Sequence, residues 1–237
     1  TFCTAGYQNV MTPAFELAHV FELGLGPDAA ARVLRFVDPQ NGDVLALRSD
    51  ITPQIARMVC GPMKEAELPI RLCYFGRVFR LREHADWQRR EVAQAGVELI
   101  GVDGPEADAE VISLCDAALA AALVDSDHVI SIGHAGLVSA VLEGLERDSE
   151  IRHLIARKDT DSLAPLLESV PPDRRAAVAA LPTLYGDPTD VLQRARAIPG
   201  LPGAALDELE ATVAAMDDVR GRVQLDLGEM LGFGYYT

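Results

Sequence analysis

Two stretches of near-equal length, residues 69–82 and 89–102, constrain the fold of this chain more than any other feature. Both are rich in β-branched and aromatic residues, and a short charged run, "EHADWQ", joins them. Two long strands that close in sequence can only fold back on each other as an antiparallel pair. Side chains alternate between the two faces of a strand. In the first strand Cys73, Phe75, Phe79 and Leu81 share one face, and Tyr74, Gly76, Val78, Arg80 and Arg82 share the other. In the second, Ala93, Ala95, Val97 and Leu99 lie opposite Arg90, Val92, Gln94, Gly96 and Glu98. The pattern predicts burial of the Cys73/Phe75 face. On the other face, Arg80, Gln94 and Glu98 around the glycines form either a small polar pocket for a charged or zwitterionic molecule or an ordinary solvated sheet face. A strand glycine marks the close approach of a ligand or of another backbone.

Around this hairpin the sequence predicts an α+β fold. "YQNVMT" reads as a short strand entering Pro13, which suits the first position of a helix over "PAFELAHVFEL". "RVLRFVD" and "DVLALR" form a second hairpin about "PQNG". "SDITPQIARMVC" reads as a helix with Asp50 or Thr52 at its start and Pro53 in its first turn. An amphipathic helix over "PEADAEVISLCDAALAAAL", a strand "HVISIG" and a helix "AGLVSAVLEGL" follow. From about Asp148 to Gly221 the pattern is helical and broken by prolines, and "RVQLDL" returns to strand. This divides the chain into a core of 1–147 plus 222–237 and a helical insertion over 148–221.

Composition removes several function classes. A net charge of −15 with only two lysines, Lys64 and Lys158, argues against a general nucleic-acid binder. No apolar run is long enough to span a bilayer. The four cysteines form no CxxC and the five histidines do not cluster at metal-ligand spacing, so no metal site is expected. Reduced cytosolic thiols are the default, with Cys73 and Cys115 as small core residues. No glycine-rich phosphate loop, GxSxG or HExxH occurs. Trp87 is either an exposed hairpin-tip residue or an anchor for a partner.

Four segments in order, "GYQNVMTPAFE", "ALRSDITPQIAR", "RLCYFGRVFRLRE…QAGVELIG" and "GFGYYT", resemble the landmarks of the histidyl-tRNA synthetase catalytic domain over residues 6–147 and 223–237. The resemblance implies a class II synthetase-like antiparallel sheet flanked by helices, and a homodimer through the motif 1 region around Pro13. It implies a histidine pocket in which Asp50 and Thr52 receive the amino group. Arg80 is the motif 2 arginine, Gln94 and Glu98 form the imidazole-side wall, and Tyr235 and Tyr236 close the pocket.

The departures from the pattern bear on catalysis. Leu231 stands where the synthetase carries an arginine that supports adenylate formation, and Gly234 replaces an aspartate. Arg82 stands where motif 2 has an acid, with Glu83 one step late. Val92 replaces the aromatic that stacks on adenine, and Gln88 a basic residue. A leucine cannot stabilise the charge that develops on the α-phosphate.

A retained amino-acid pocket beside a damaged ATP site is similar to the regulatory-subunit family of ATP phosphoribosyltransferase. That resemblance implies a cytoplasmic protein with no catalytic residues and no cofactor. Its partner would be the short-form catalytic subunit at the first step of histidine biosynthesis, with free histidine as a candidate feedback ligand. The rivals are an active histidyl-tRNA synthetase and an amino-acid-binding module with another partner. The ending inside a recognisable motif leads us to expect further native chain beyond residue 237.

Overall fold

The computed structural model describes residues 1–25, 30, 33–80, 90–122, 128–216 and 219–229. These fall into two compact units, Thr1–Val102 and a second that begins at Asp103.

In the first unit the long hairpin forms as the alternation predicts. Strands β5 (Ile70–Phe79) and β6 (Glu91–Ile100) pair antiparallel along their whole length, from Ile70↔Ile100 to Phe79↔Glu91. Strand β1 (Gln8–Asn9) adds to β5 in parallel. The connecting loop, with Trp87, lies outside the described residues. A second sheet holds β2 (Phe15–Leu17), β4 (Val44–Leu47) and β3 (Arg35–Val37) in that order, all antiparallel. The "PQNG" hairpin is present between β3 and β4. Gly42 takes φ of 82°, a left-handed conformation that favours glycine, and its N–H donates to the Asp38 carbonyl at 2.9 Å.

Helix α1 (Ala18–Gly24) follows β2 directly. This corrects the expectation for Pro13. The proline does not begin the helix, because "FEL" is extended and pairs with Leu45–Leu47 first. Strand pairing overrides the local helical signal there. Helix α2 (Thr52–Cys60) carries Pro53 in its first turn as expected.

The burial of the long hairpin is the reverse of the expected one. Leu72, Tyr74 and Val78 are buried, whereas Phe75 is 71% exposed and Ala93 and Ala95 are exposed. The even-numbered face is covered because Ile51 and Ile55 of the α2 region pack against Ile70, Leu72, Tyr74 and Val78. Cys73 is buried as expected.

In the second unit, α3 (Pro105–Ala122) leads to β7 (Ile130–Ile132) and α4 (Ala135–Leu142). The helices α5 (Asp148–Ala156), α6 (Thr160–Leu163), α7 (Pro172–Ala180), α8 (Pro188–Arg196) and α9 (Gly203–Ala215) follow. Strand β9 (Val223–Asp226) lies between β7 and the two-residue β8 (Tyr185–Gly186). Its pairing with β7 is parallel, Ile130↔Val223 to Ile132↔Leu225. One apolar cluster joins Leu137, Val141 and Leu142 with residues of the helical block, among them Ile151, Leu181 and Leu206, and with Leu225 of β9. Cys115 of α3 is exposed, contrary to its reading as a core residue.

Candidate functional site

The expected site lies on the even face of β5 and β6. Register alone sets its rows: Leu72 faces Glu98, Tyr74 faces Gly96, Gly76 faces Gln94 and Val78 faces Val92. Arg80 continues the ladder just past β5, with its N–H donating to the Arg90 carbonyl at 2.9 Å. The loop from Arg48 to the start of α2 crosses this face and delivers Asp50 and Thr52 to it.

Five of the seven expected residues are brought together. The Asp50 carboxylate is buried. Its Oδ1 accepts from the Thr52 N–H at 3.0 Å and from Gln94 Nε2 at 3.2 Å. Asp50 sits one residue before the Ile51 N-cap of α2 and joins the Thr52 N–H, the first of that helix, to the polar cluster. Gln94 also accepts, through Oε1, from the Ile51 N–H at 3.2 Å. The Thr52 hydroxyl donates to Glu98 Oε1 at 2.8 Å. Arg80 donates Nε to the Ser49 carbonyl at 3.0 Å and holds Nη2 at 3.9 Å from Asp50 Oδ2. Tyr235 and Tyr236 lie outside the described residues, as do Leu231, Gly234, Arg82, Glu83 and Gln88.

One member was missed. The Tyr74 hydroxyl donates to Glu98 Oε1 at 3.4 Å and lies 3.4 Å from the Thr52 hydroxyl. Its parity already placed it on the face of Arg80. The available signal was an aromatic with a polar tip on a face otherwise assigned to charge.

The two strand glycines have a specific cause. A Cβ on Gly96 would run into the Tyr74 ring and hydroxyl across the pair. A Cβ on Gly76 would come within 3.1 Å of the Arg48 guanidinium carbon and of Ile51 Cδ1. Both glycines thus make room for neighbouring side chains of the same chain.

The electrostatics follow from burial. Glu98 is pushed above the usual carboxylate range by desolvation, with Asp50 adding to the shift and the Thr52 and Tyr74 hydroxyls opposing it. Burial likewise raises the Tyr74 phenol well above its ordinary value. Two carboxylates close together, one already driven toward its neutral form, favour a cationic or proton-donating ligand. The hydroxyls and the Gln94 amide fix its orientation. Among the described residues no cluster of three or more metal-ligating side chains occurs.

The histidyl-tRNA synthetase family model matches residues 1–237. The ATP phosphoribosyltransferase regulatory subunit of Anaeromyxobacter dehalogenans is 40% identical over the whole chain and 70% of its own length. That of Syntrophotalea carbinolica is 39% identical over 98% of the chain and 56% of its own length. The chain thus spans little more than half of several curated relatives that it matches. A Bacillus halodurans structure described as an ATP phosphoribosyltransferase regulatory subunit/histidyl-tRNA synthetase superposes with a TM-score of 0.86 at 29% identity, covering 100% of this chain and 63% of that one. The ATP phosphoribosyl transferase (HisG:HisZ) complex from Thermotoga maritima shares the fold, with a TM-score of 0.66 at 17% identity over 96% of this chain and 77% of that one. The architecture is α+β, of the class II synthetase-like kind.

Proposed function

The chain belongs to the histidyl-tRNA synthetase-like family of ATP phosphoribosyltransferase regulatory subunits, and from that membership we propose that it is the non-catalytic subunit required by the short-form catalytic subunit at the first step of histidine biosynthesis. The observation that carries this reading is the intact Asp50–Thr52–Gln94–Glu98 cluster in a sequence that has leucine at the position of the adenylate-supporting arginine. A pocket that orients an amino acid without stabilising an α-phosphate binds and does not activate.

The ligand of that pocket is free histidine. Its ammonium lies against Asp50, its imidazole donates to Glu98, and Arg80 takes its carboxylate. Histidine binding then couples to the activity of the catalytic subunit as a feedback signal. No helix among the described residues is long and apolar enough to cross a membrane.

The test mixes the protein with a short-form catalytic subunit. Co-purification and a rise in phosphoribosyl transfer support the proposal. Failure of both, together with histidine- and ATP-dependent pyrophosphate exchange by this chain alone, identifies an active synthetase instead.

The protein also forms a homodimer through the motif 1 region. The β2–β4–β3 sheet supports this, since Phe15, Phe36, Val37 and Val44 are exposed on it and Phe15 and Phe36 stack edge-on at 6.0 Å. Exposed apolar groups gathered in this way mark an interface. Replacing Phe36 with Glu is expected to convert the dimer to monomer in light scattering, with circular dichroism unchanged. A variant that stays dimeric would place the interface elsewhere.

We also infer that residues 148–221 are an insertion into a core of 1–147 plus 222–237. The chain leaves β7, passes through α4 and the helical block, and returns as β9 beside β7, as an insertion would.

A further inference from the structure

We propose that Cys3 and Cys73 are a modification site, a thiol pair that a small-molecule disulfide converts to an intramolecular disulfide. Their sulfurs lie 4.0 Å apart although the residues are 70 positions apart in sequence. All four cysteines are free, and this is the one sulfur–sulfur contact among the described residues. A disulfide needs the sulfurs at about 2 Å, so one side must move by about 2 Å.

The structure shows which side can move. Cys73 lies inside β5, paired to Asn9 on one side and to Val97 on the other, and it is 3% exposed. Its thiol also donates to the Tyr7 carbonyl at 3.8 Å. Cys3 opens a three-residue 3-10 turn that Gly6 closes at φ of 89°, and it is exposed. A change at Cys3 breaks no strand pairing. Cys3 is also the sulfur that an external reagent can reach. Burial and the contact with Cys3 both raise the Cys73 thiol, which disfavours it as the first attacker.

The steps balance as thiol–disulfide exchange. The Cys3 thiolate attacks one sulfur of RS–SR, the S–S bond breaks, and one RS⁻ leaves and takes a proton. Cys73 then loses its proton and attacks the Cys3 sulfur of the mixed disulfide, and the second RS⁻ leaves as RSH. Two protein thiols lose two electrons and two protons, and one small disulfide gains them as two thiols. The bond that forms ties the segment before β1 to the strand that carries Tyr74 in the next position.

The test uses a Cys60→Ser/Cys115→Ser protein under native conditions with oxidised glutathione. The expected intact mass is lower by two hydrogens, with a Cys3–Cys73 linked peptide after digestion. The thermal midpoint of the linked protein is expected to rise by several degrees. Adding Cys3→Ser should leave Cys73 unmodified, because the buried thiol meets no reagent. A stable glutathione adduct on Cys3 without ring closure would overturn the proposal. So would linkage that appears only in urea, labelling of Cys73 in the Cys3→Ser protein, or a lower midpoint after linkage.

Discussion

Glu98→Gln is expected to bind free histidine at least tenfold more weakly while making the unliganded protein more stable. The two effects share one cause. Glu98 is buried beside Asp50, and its carboxyl is held above the usual range by desolvation. A carboxyl whose folded-state value is raised favours the folded protein fully only below its unfolded value. That contribution is lost as pH rises through the folded value, so at neutral pH the ionised group opposes folding. Glutamine removes the charge and keeps a carbonyl oxygen for the Thr52 and Tyr74 hydroxyls, which both donate to Oε1. The stability gain should appear as a higher urea midpoint with an unchanged slope. The binding loss should be about 1.5–3 kcal/mol, the contribution of a hydrogen bond to a charged partner. Calorimetry with histidine and a urea titration read the two separately. Weaker binding with lower stability would mean that Glu98 holds the sheet together, and the pocket assignment would fall. A double Gln94→Ala/Glu98→Ala variant is expected to abolish histidine binding altogether, and unchanged affinity would refute the carry-over from the synthetase pattern.

That three of the polar residues share a sheet face was legible in the sequence because parity is a property of the backbone. Arg80, Gln94 and Glu98 had to share a face once β5 and β6 were recognised, and Leu72↔Glu98 through Val78↔Val92 is the register that results. Which face was buried was not legible. Hydrophobicity pointed to Phe75 and the alanines, but the strand sequence does not say that Ile51, Ile55 and the Arg48 guanidinium cover the other side. The same limit explains the glycines. "FGRV" and "AGVE" announce close approach without saying what approaches, since the partners, Arg48 and Tyr74, are supplied by sequence separation and register. Pro13 failed for a different reason. A proline before "AFELAHVFEL" is a sound local helix signal, and only the non-local pairing of Phe15–Leu17 with Leu45–Leu47 makes those residues extended.

Arg48→Ala is expected to be the most destabilising single substitution in the first unit, by about 3 kcal/mol or more, the upper end of what point substitutions cost and the reach of a broken buried hydrogen-bond network. The sequence reading gave Arg48 no role, yet it ties three segments together. Its Nη1 donates to the Thr12 carbonyl at 2.7 Å, to the Thr12 hydroxyl at 3.0 Å and to the Pro13 carbonyl at 3.2 Å. Its Nε donates to the Arg77 carbonyl of β5 at 2.6 Å. Gln54 of α2 also donates to the Pro13 carbonyl, at 3.0 Å. The guanidinium is buried, which pushes its pKa below the ordinary arginine value, and among the described residues no carboxylate pairs with it. Three carbonyls and the Thr12 hydroxyl compensate a buried cation here, and Gly76 is the residue that leaves room for it. Truncation takes the donor from the buried Thr12 carbonyl and the part-buried Arg77 carbonyl, each at about 1–3 kcal/mol where no water replaces it. Lysine should rescue little, because one ammonium on a flexible stem cannot reproduce the planar fork that reaches Thr12 and Arg77 together. Gly76→Ala is expected to act in the same direction by displacing the guanidinium, with the combined variant no worse than Arg48→Ala alone. Chemical denaturation of Arg48→Ala, Gly76→Ala and the combined variant decides the matter. Additive losses would mean that Gly76 serves the backbone rather than Arg48. A loss below about 1 kcal/mol for Arg48→Ala would mean that water satisfies those carbonyls as well as the arginine does.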